Sequence, residues 1–115
     1  MPFKVLALAH APDADPEEHR SAIDTGSYQL HTVVVRTQAD AVEVCRDFAE
    51  GGSIDSVLLC PGFTHRDVAE IAEVVGLDVG VSVARGDGPS GRVAAAARKR
   101  AGYPDVRARS HLASA

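Results

Sequence analysis

Short apolar runs alternate along this sequence with segments whose apolar residues recur at helical spacing. The clearest example is the run at 57–59, a Val and two Leu, which a Pro-Gly turn ends at 61–62. Thr64 then has the spacing to cap a helix, with Asp67 three residues later as its capping-box partner. A strand, a tight turn and a capped helix in this order form the building block of a parallel α/β sheet.

The same pattern predicts four such units and therefore an α/β fold. Strict alternation favours a small three-layer sandwich, in which a four-stranded parallel sheet carries helices on both faces. Right-handed crossovers favour the flavodoxin-like strand order 2-1-3-4, with the first strand beside the third. The predicted strands span 3–9, 30–36, 54–59 and 77–83, and the predicted helices begin near 16, 38, 65 and 89 and stop at glycines 26, 51, 76 and 102.

Length and composition restrict the number of domains and the class of protein. The 115 residues suffice for one domain, predicted to span 1–103 and to be followed by a tail at 104–115 that docks on the body or on a partner. The formal charge of −4 argues against a nucleic-acid-binding surface. No apolar run approaches the ~20 residues of a membrane span, and the amino-terminal run fits a first strand better than a signal peptide. We therefore expect a cytoplasmic protein with no membrane partner.

A sheet of four strands leaves two edges with unpaired backbone groups, which natural proteins cover. We therefore expect a homodimer, in which a second copy covers an edge or a helix face. The last predicted helix carries four consecutive alanines at 94–97, which suit close packing within the fold or between subunits.

Three motifs resemble a family of small bacterial proteins known only as a domain of unknown function. They are Ala11-Pro-Asp-Ala-Asp-Pro16 with His19-Arg20, Cys60-Pro-Gly-Phe63 with His65, and Val79-Gly-Val-Ser-Val83. The family pattern is Cys-Gly-Gly-Phe-Gly-His, and Pro61 and Thr64 replace two of its glycines here. The resemblance covers residues 3–85. It supports the α/β fold and draws attention to Cys60 and His65, and it implies no activity.

The carboxyl ends of the strands are where open α/β sheets bind ligands. The four loops expected at that edge bring together His10, Arg36, the segment 60–65 and the segment 85–90. His65 is predicted at the first position of a helix, where the positive end of the dipole disfavours imidazolium and leaves a neutral acid or base. The alternative is a surface histidine that only begins the helix.

Cys60 at the same turn is a candidate nucleophile, because a helix amino end lowers the pKa of a thiol and His65 or His10 would serve as its base. The alternative is a buried cysteine at a strand end. His10, Cys60 and His65 also include the ligand types that zinc prefers, but no paired spacing such as Cys-x-x-Cys supports a metal site. We predict no metal and no cofactor.

The glycine loop at 86–91 precedes the last predicted helix, and backbone amides in such a loop bind anions. It has neither the P-loop nor the dinucleotide-binding spacing, and a plain strand-to-helix connection is the alternative. The predicted ligand-binding residues are Gly62, Phe63, Thr64, Arg85, Asp87 and Ser90.

These residues favour a small cofactor-free enzyme that performs acid–base chemistry on an organic metabolite. The reaction would be of the isomerase, cyclase or lyase type, with a place in biosynthesis. His65 would be the acid or base, His10 its counterpart, and Cys60 a neighbour or nucleophile. One alternative is a non-catalytic binding or regulatory module for an anionic small molecule, and another is a dimeric interaction protein.

Overall fold

The computed structural model describes residues 1–85 and 88–104. Asp87 and the tail from 105 to 115 therefore lie outside the described residues, so the predicted docking of the tail stays a prediction. The described chain forms an α/β fold with five strands and three helices. In order these are β1 (Phe3–His10), β2 (Arg20–Asp24), β3 (Tyr28–Val35), α1 (Gln38–Glu50), β4 (Ser56–Leu59), α2 (His65–Val75), β5 (Gly80–Val83) and α3 (Gly88–Arg100).

The five strands form one mostly parallel sheet in the order β2-β3-β1-β4-β5. The strands β3, β1, β4 and β5 run parallel to their neighbours, and β2 lies antiparallel to β3 at the edge. The prediction of a four-stranded, wholly parallel sheet was therefore wrong, because β2 adds a fifth, antiparallel strand at one edge and changes the strand order of the sheet. The four segments predicted as strands correspond to β1, β3, β4 and β5, which lie in the order β3-β1-β4-β5. The parallel pairing of the first strand with the segment around 57–59 was confirmed: Leu6 lies opposite Val57, and Leu8 opposite Leu59.

The additional strand, β2, replaces the first predicted helix. The helix-start signal at Asp15 produces only a turn, in which the carbonyl of Asp15 accepts the amides of Glu18 and His19 at 3.1 and 2.8 Å. The following residues offer only Ala22 and Ile23 as apolar side chains, and adjacent residues do not form the stripe that stabilises a short helix by packing. The backbone groups of Arg20–Asp24 form their hydrogen bonds by pairing with β3 instead.

Helices α1 and α2 both pack on one face of the sheet and form the core with it. Both crossovers, from β3 to β4 and from β4 to β5, move across the sheet in the same direction, so right-handed connections place both helices on the same side. The buried residues of this layer are Leu6, Leu8, Val33, Val35, Ala41, Val44, Cys45, Ile54, Val57, Leu59, Phe63, Ile71 and Val75.

The predicted helix layer on the other face is not formed by the described residues. Leu58 in the middle of β4 is 39% exposed, whereas its neighbours Val57 and Leu59 are fully buried under the helices. The connection from β1 to β3 would have moved in the opposite direction and placed a helix on this face, but it contains the strand β2. The last helix, α3, has no buried residue and no substantial packing against another described element.

Candidate functional site

The carboxyl edge of the sheet contains a switch point between β1 and β4. After β1 the chain turns toward β2 and β3, whereas after β4 it turns through α2 toward β5. Crevices in open α/β sheets form where neighbouring connections diverge in this way. Here the ring of Phe63 fills that position and lies against the ring of His10, with centroids 4.2 Å apart.

A cavity of about 510 Å³ opens beside Phe63, between the start of α2 and the end of β5. Its apolar walls include Val68 and Val83, which also pack against the core. Its polar groups include the side chains of His65 and Arg85. The complete lining is Pro61, Gly62, Phe63, Thr64, His65, Val68, Val83, Ala84 and Arg85.

The amino end of α2 is fixed by a complete capping box. The Thr64 hydroxyl accepts the amide of Asp67 at 3.1 Å, and the Asp67 carboxylate accepts the amide of Thr64 at 2.9 Å. Asp67 is 3% exposed, so this geometry is held within the fold rather than at its surface. The amides of the first helical turn have no partner inside the helix, and those of His65 and Arg66 therefore remain for a bound group.

His65 occupies the first position of α2, as the sequence predicts, and its side chain is exposed at the cavity. His10 does not line this cavity, because Phe63 stands over it. The structure therefore brings His65 together with Gly62, Phe63, Thr64 and Arg85, but it separates this group from His10. Ser90 lies on α3 and lines a different, shallow apolar surface with Val93.

Cys60 follows β4 directly, and its amide donates to the carbonyl of Leu8 at 3.0 Å. Its side chain is half-buried and does not line the cavity. Burial raises the pKa of the Cys60 thiol above its ordinary value. The thiol is therefore protonated at neutral pH, which is the opposite of what a thiolate nucleophile requires.

The two cysteines should differ in their reaction with a maleimide in the native protein. Burial raises the pKa of Cys45 to about 12, and this residue is fully enclosed. We expect one thiol, Cys60, to react slowly in native protein and both to react in guanidinium chloride, as counted by intact mass. Rapid native labelling of Cys45 would contradict this assignment.

Burial of the protonated Cys45 thiol also makes the stability of the fold depend on pH. The contribution is fully present below the ordinary pKa of 9.0 and is lost as pH rises toward 12.

A second cavity, of about 390 Å³, lies between the β1–β2 turn and α1. It contains Arg20 and Arg36, and the Arg20 Nε donates to the carbonyl of Pro16 at 2.7 Å. The helix predicted at 16–26 gave no indication of this cavity, because the segment forms a turn and the strand β2 instead. The motif from Ala11 to Pro16 and Arg36, which was expected at the carboxyl edge, were the available signals. Carboxylates outnumber the two guanidinium groups in its lining: Asp15, Glu17, Asp40, Glu43 and Asp47.

Across residues 1–85 and 88–104, no group of three or more His, Cys, Asp or Glu side chains has an arrangement that would hold a metal ion. Within the same ranges, no helix combines the length and the apolar character needed to cross a membrane.

Comparison with known proteins identifies the family. The model of the DUF6506 family, a family of unknown function, matches residues 3–99. The chain therefore belongs to the DUF6506 family, and the resemblance seen in its motifs is confirmed at the level of the family. No protein with a curated description and no solved structure is significantly similar to the chain.

Proposed function

We propose that this member of the DUF6506 family binds a small organic anion in the cavity at the start of α2. The observation that carries the proposal is the meeting of Arg85 and His65 in one cavity with apolar walls, at a helix amino end. The second cavity has an excess of carboxylates and would repel an anion. The cavity at α2 is therefore the better candidate.

A ligand with one charged and one apolar end fits this arrangement. A carboxylate would lie toward the amides of His65 and Arg66 and the guanidinium of Arg85, where the helix dipole and the positive charge act together. The apolar end would lie against Val68 and Val83. A cavity of about 510 Å³ is within the range that holds a small metabolite.

Arg85→Gln should weaken carboxylate binding by about 10–100-fold, since a hydrogen bond to a charged group contributes roughly 1.5–3 kcal/mol. The probes are hexanoate and phenylacetate, each compared with its uncharged amide by thermal shift and calorimetry. We expect the carboxylates to bind and raise the melting temperature, and the amides to have little effect.

Arg66→Gln is the matched control. Arg66 follows His65 on α2, and its side chain lines the groove between α1 and α2 instead of the cavity. It should leave the affinity unchanged. Equal binding of the acids and the amides, or equal loss of affinity in both variants, would disprove the proposed site.

The second candidate function is acid–base catalysis on such a ligand without a cofactor, as an isomerase, cyclase or lyase. The observation in its favour is that the His65 imidazole is exposed in the same cavity as Arg85. The Arg85 guanidinium would then orient the substrate carboxylate, and His65 would transfer a proton at a neighbouring carbon or oxygen atom of the substrate. His10 and Cys60 do not line the cavity, so His65 carries this proposal alone.

A further inference from the structure

No described helix packs on the face of the sheet opposite α1 and α2, and none of the strand residues on that face is charged. Alternate residues of each strand face it, beginning with Phe3 in β1, Ser21 in β2, Tyr28 in β3, Ser56 in β4 and Gly80 in β5. None of these alternating positions within the strands is Asp, Glu, Lys or Arg. A contiguous uncharged surface of this kind marks an interaction site in soluble proteins. We refer to it below as the open face.

Several large apolar side chains on the open face remain accessible, although Val5 on the same face is 5% exposed. Ile23 is 59% exposed, Phe3 51% and Leu58 39%. The ring of Phe3 lies beside another open-face ring, Tyr28, with centroids 5.9 Å apart and ring planes inclined by 38°. Parallel sheets normally have both faces covered by helices. Among residues 1–85 and 88–104, no helix supplies this layer on the open face.

Helix α3 has no substantial packing partner among the described elements of its own chain. None of its 13 residues is buried, and Val93 is 72% exposed. One side of the helix is formed by Pro89, Val93, Ala94 and Ala97, which line a shallow apolar surface together with a serine. Small side chains allow a helix to approach a sheet closely, so this side suits packing on a flat strand surface.

The charges of the two parts are complementary. Helix α3 carries four basic residues and no acidic one, whereas residues 1–85 contain six basic and fourteen acidic residues. Three of the basic residues lie together at 98–100, at the end of the helix. Three exposed carboxylates, Asp24, Asp55 and Asp78, lie at the amino edge of the sheet, next to the ends or starts of β2, β4 and β5.

We propose that two copies of the chain form a dimer in which each places α3 across the open face of the other. Each copy supplies one open face and one unpartnered helix, so a two-fold exchange covers both surfaces at once. Helix α3 is about 20 Å long, between the ~13 Å of the four-residue strands β4 and β5 and the ~26 Å of the eight-residue strands β1 and β3 along which it would lie. Its basic end would lie at the acidic amino edge of the partner's sheet.

The second copy is preferred to the chain's own helix because α3 has no substantial packing against any described strand of its own sheet. The exchange would cover the apolar side of α3, which no described part of its own chain buries.

Light scattering on the full chain tests the assembly. The wild type should have twice the 12.0 kDa mass of one chain at micromolar concentration. Leu58→Asp on the open face and Val93→Asp on the apolar side of α3 should each give monomers. Ala95→Asp makes the same kind of change on the opposite side of α3 and should leave the dimer intact. Circular dichroism checks that each variant is folded, which the exposure of all three positions predicts.

Cross-linking distinguishes exchange between copies from packing within one chain. The double variant Leu58→Cys with Val93→Cys is mixed from ¹⁵N-labelled and unlabelled protein, allowed to re-equilibrate and treated with a short bismaleimide. In an equal mixture, about half of the peptides that join position 58 to position 93 should contain one labelled and one unlabelled half, because the two forms pair at random in a symmetric dimer. The control variant Leu58→Cys with Ala95→Cys should give few peptides that join position 58 to position 95.

Three results would overturn the proposal. The first is a monomeric wild type. The second is a dimer that Leu58→Asp dissociates and Val93→Asp does not, which would mean that two open faces pack together without α3. The third is a set of 58–93 cross-links within single chains only, which would mean that α3 covers its own sheet.

Discussion

Leu8→Ala should lower the free energy of unfolding by about 3–5 kcal/mol, the upper part of the range for a buried leucine. Leu8 is fully buried and lies on β1, between Val33 of β3 and Leu59 of β4. Both neighbours are themselves enclosed within paired strands and cannot easily move into the space left behind. A domain of this size has about 5–15 kcal/mol of stability in total, so one substitution should remove a large part of it.

Leu77→Ala is the matched control for Leu8→Ala. It deletes the same atoms from a fully exposed side chain that precedes β5, so it should leave the unfolding transition unchanged. The measurement is urea unfolding of both variants and the wild type at one protein concentration, since dimer formation would make stability depend on concentration. A loss below about 1 kcal/mol for Leu8→Ala would show that β1 is not the centre of the core.

Helix α2 was predictable from the sequence because every signal that determines it is local. The apolar run that ends at Leu59, the turn at Gly62, the capping pair of Thr64 and Asp67, and the stop at Gly76 agree with one another. The structure places α2 at His65–Val75, with both hydrogen bonds of the capping box present. Agreement among local signals leaves little for tertiary contacts to override.

Strand β2 was not predictable in the same way, because its local and tertiary preferences conflict. Asp15, Pro16 and Glu18 indicate a helix start, and they do form a turn. The residues from Arg20 onward then pair with β3, which supplies hydrogen bonds that a short helix without an apolar stripe cannot match. Edge pairing depends on a partner strand, and its geometry is not encoded within the segment.

The open face follows from that one replacement. Without a crossover helix between β1 and β3, the right-handed connections place α1 and α2 on the same side. The continuous apolar runs in the sequence predicted a sheet with helices on both faces, but they did not indicate that the described helices α1 and α2 would both lie on one face. The feature that distinguishes the two faces is topological.

The candidate site was predictable in its location and only partly in its composition. Segments that are close in sequence, from Gly62 to His65, remained together, and Arg85 joined them because β4 and β5 are neighbours. His10 was expected in the same site because it ends an adjacent strand. The expectation did not include the volume of Phe63, whose ring separates His10 from the cavity.

His65→Ala should lower turnover by roughly 10²–10⁴-fold, the usual contribution of a positioned acid or base. The assay begins from carboxylates that bind the wild type and follows, by NMR in D₂O, the exchange of carbon-bound hydrogen for deuterium. Such exchange is expected of an enzyme that removes and returns a proton, even where no net product accumulates. The melting temperature should hardly change, because the imidazole is exposed and Thr64 keeps the helix cap.

Cys60→Ser is the contrasting variant, since Cys60 directly follows β4 and does not line the cavity. Its thiol is protonated at neutral pH because burial raises its pKa, so its replacement should leave exchange intact and affect only packing. Full activity in His65→Ala would end the acid–base proposal while leaving ligand binding at Arg85 untouched. Failure of His65→Ala to fold would instead give the residue a structural role. Loss of activity in Cys60→Ser as severe as in His65→Ala would return the thiol to the mechanism as a nucleophile.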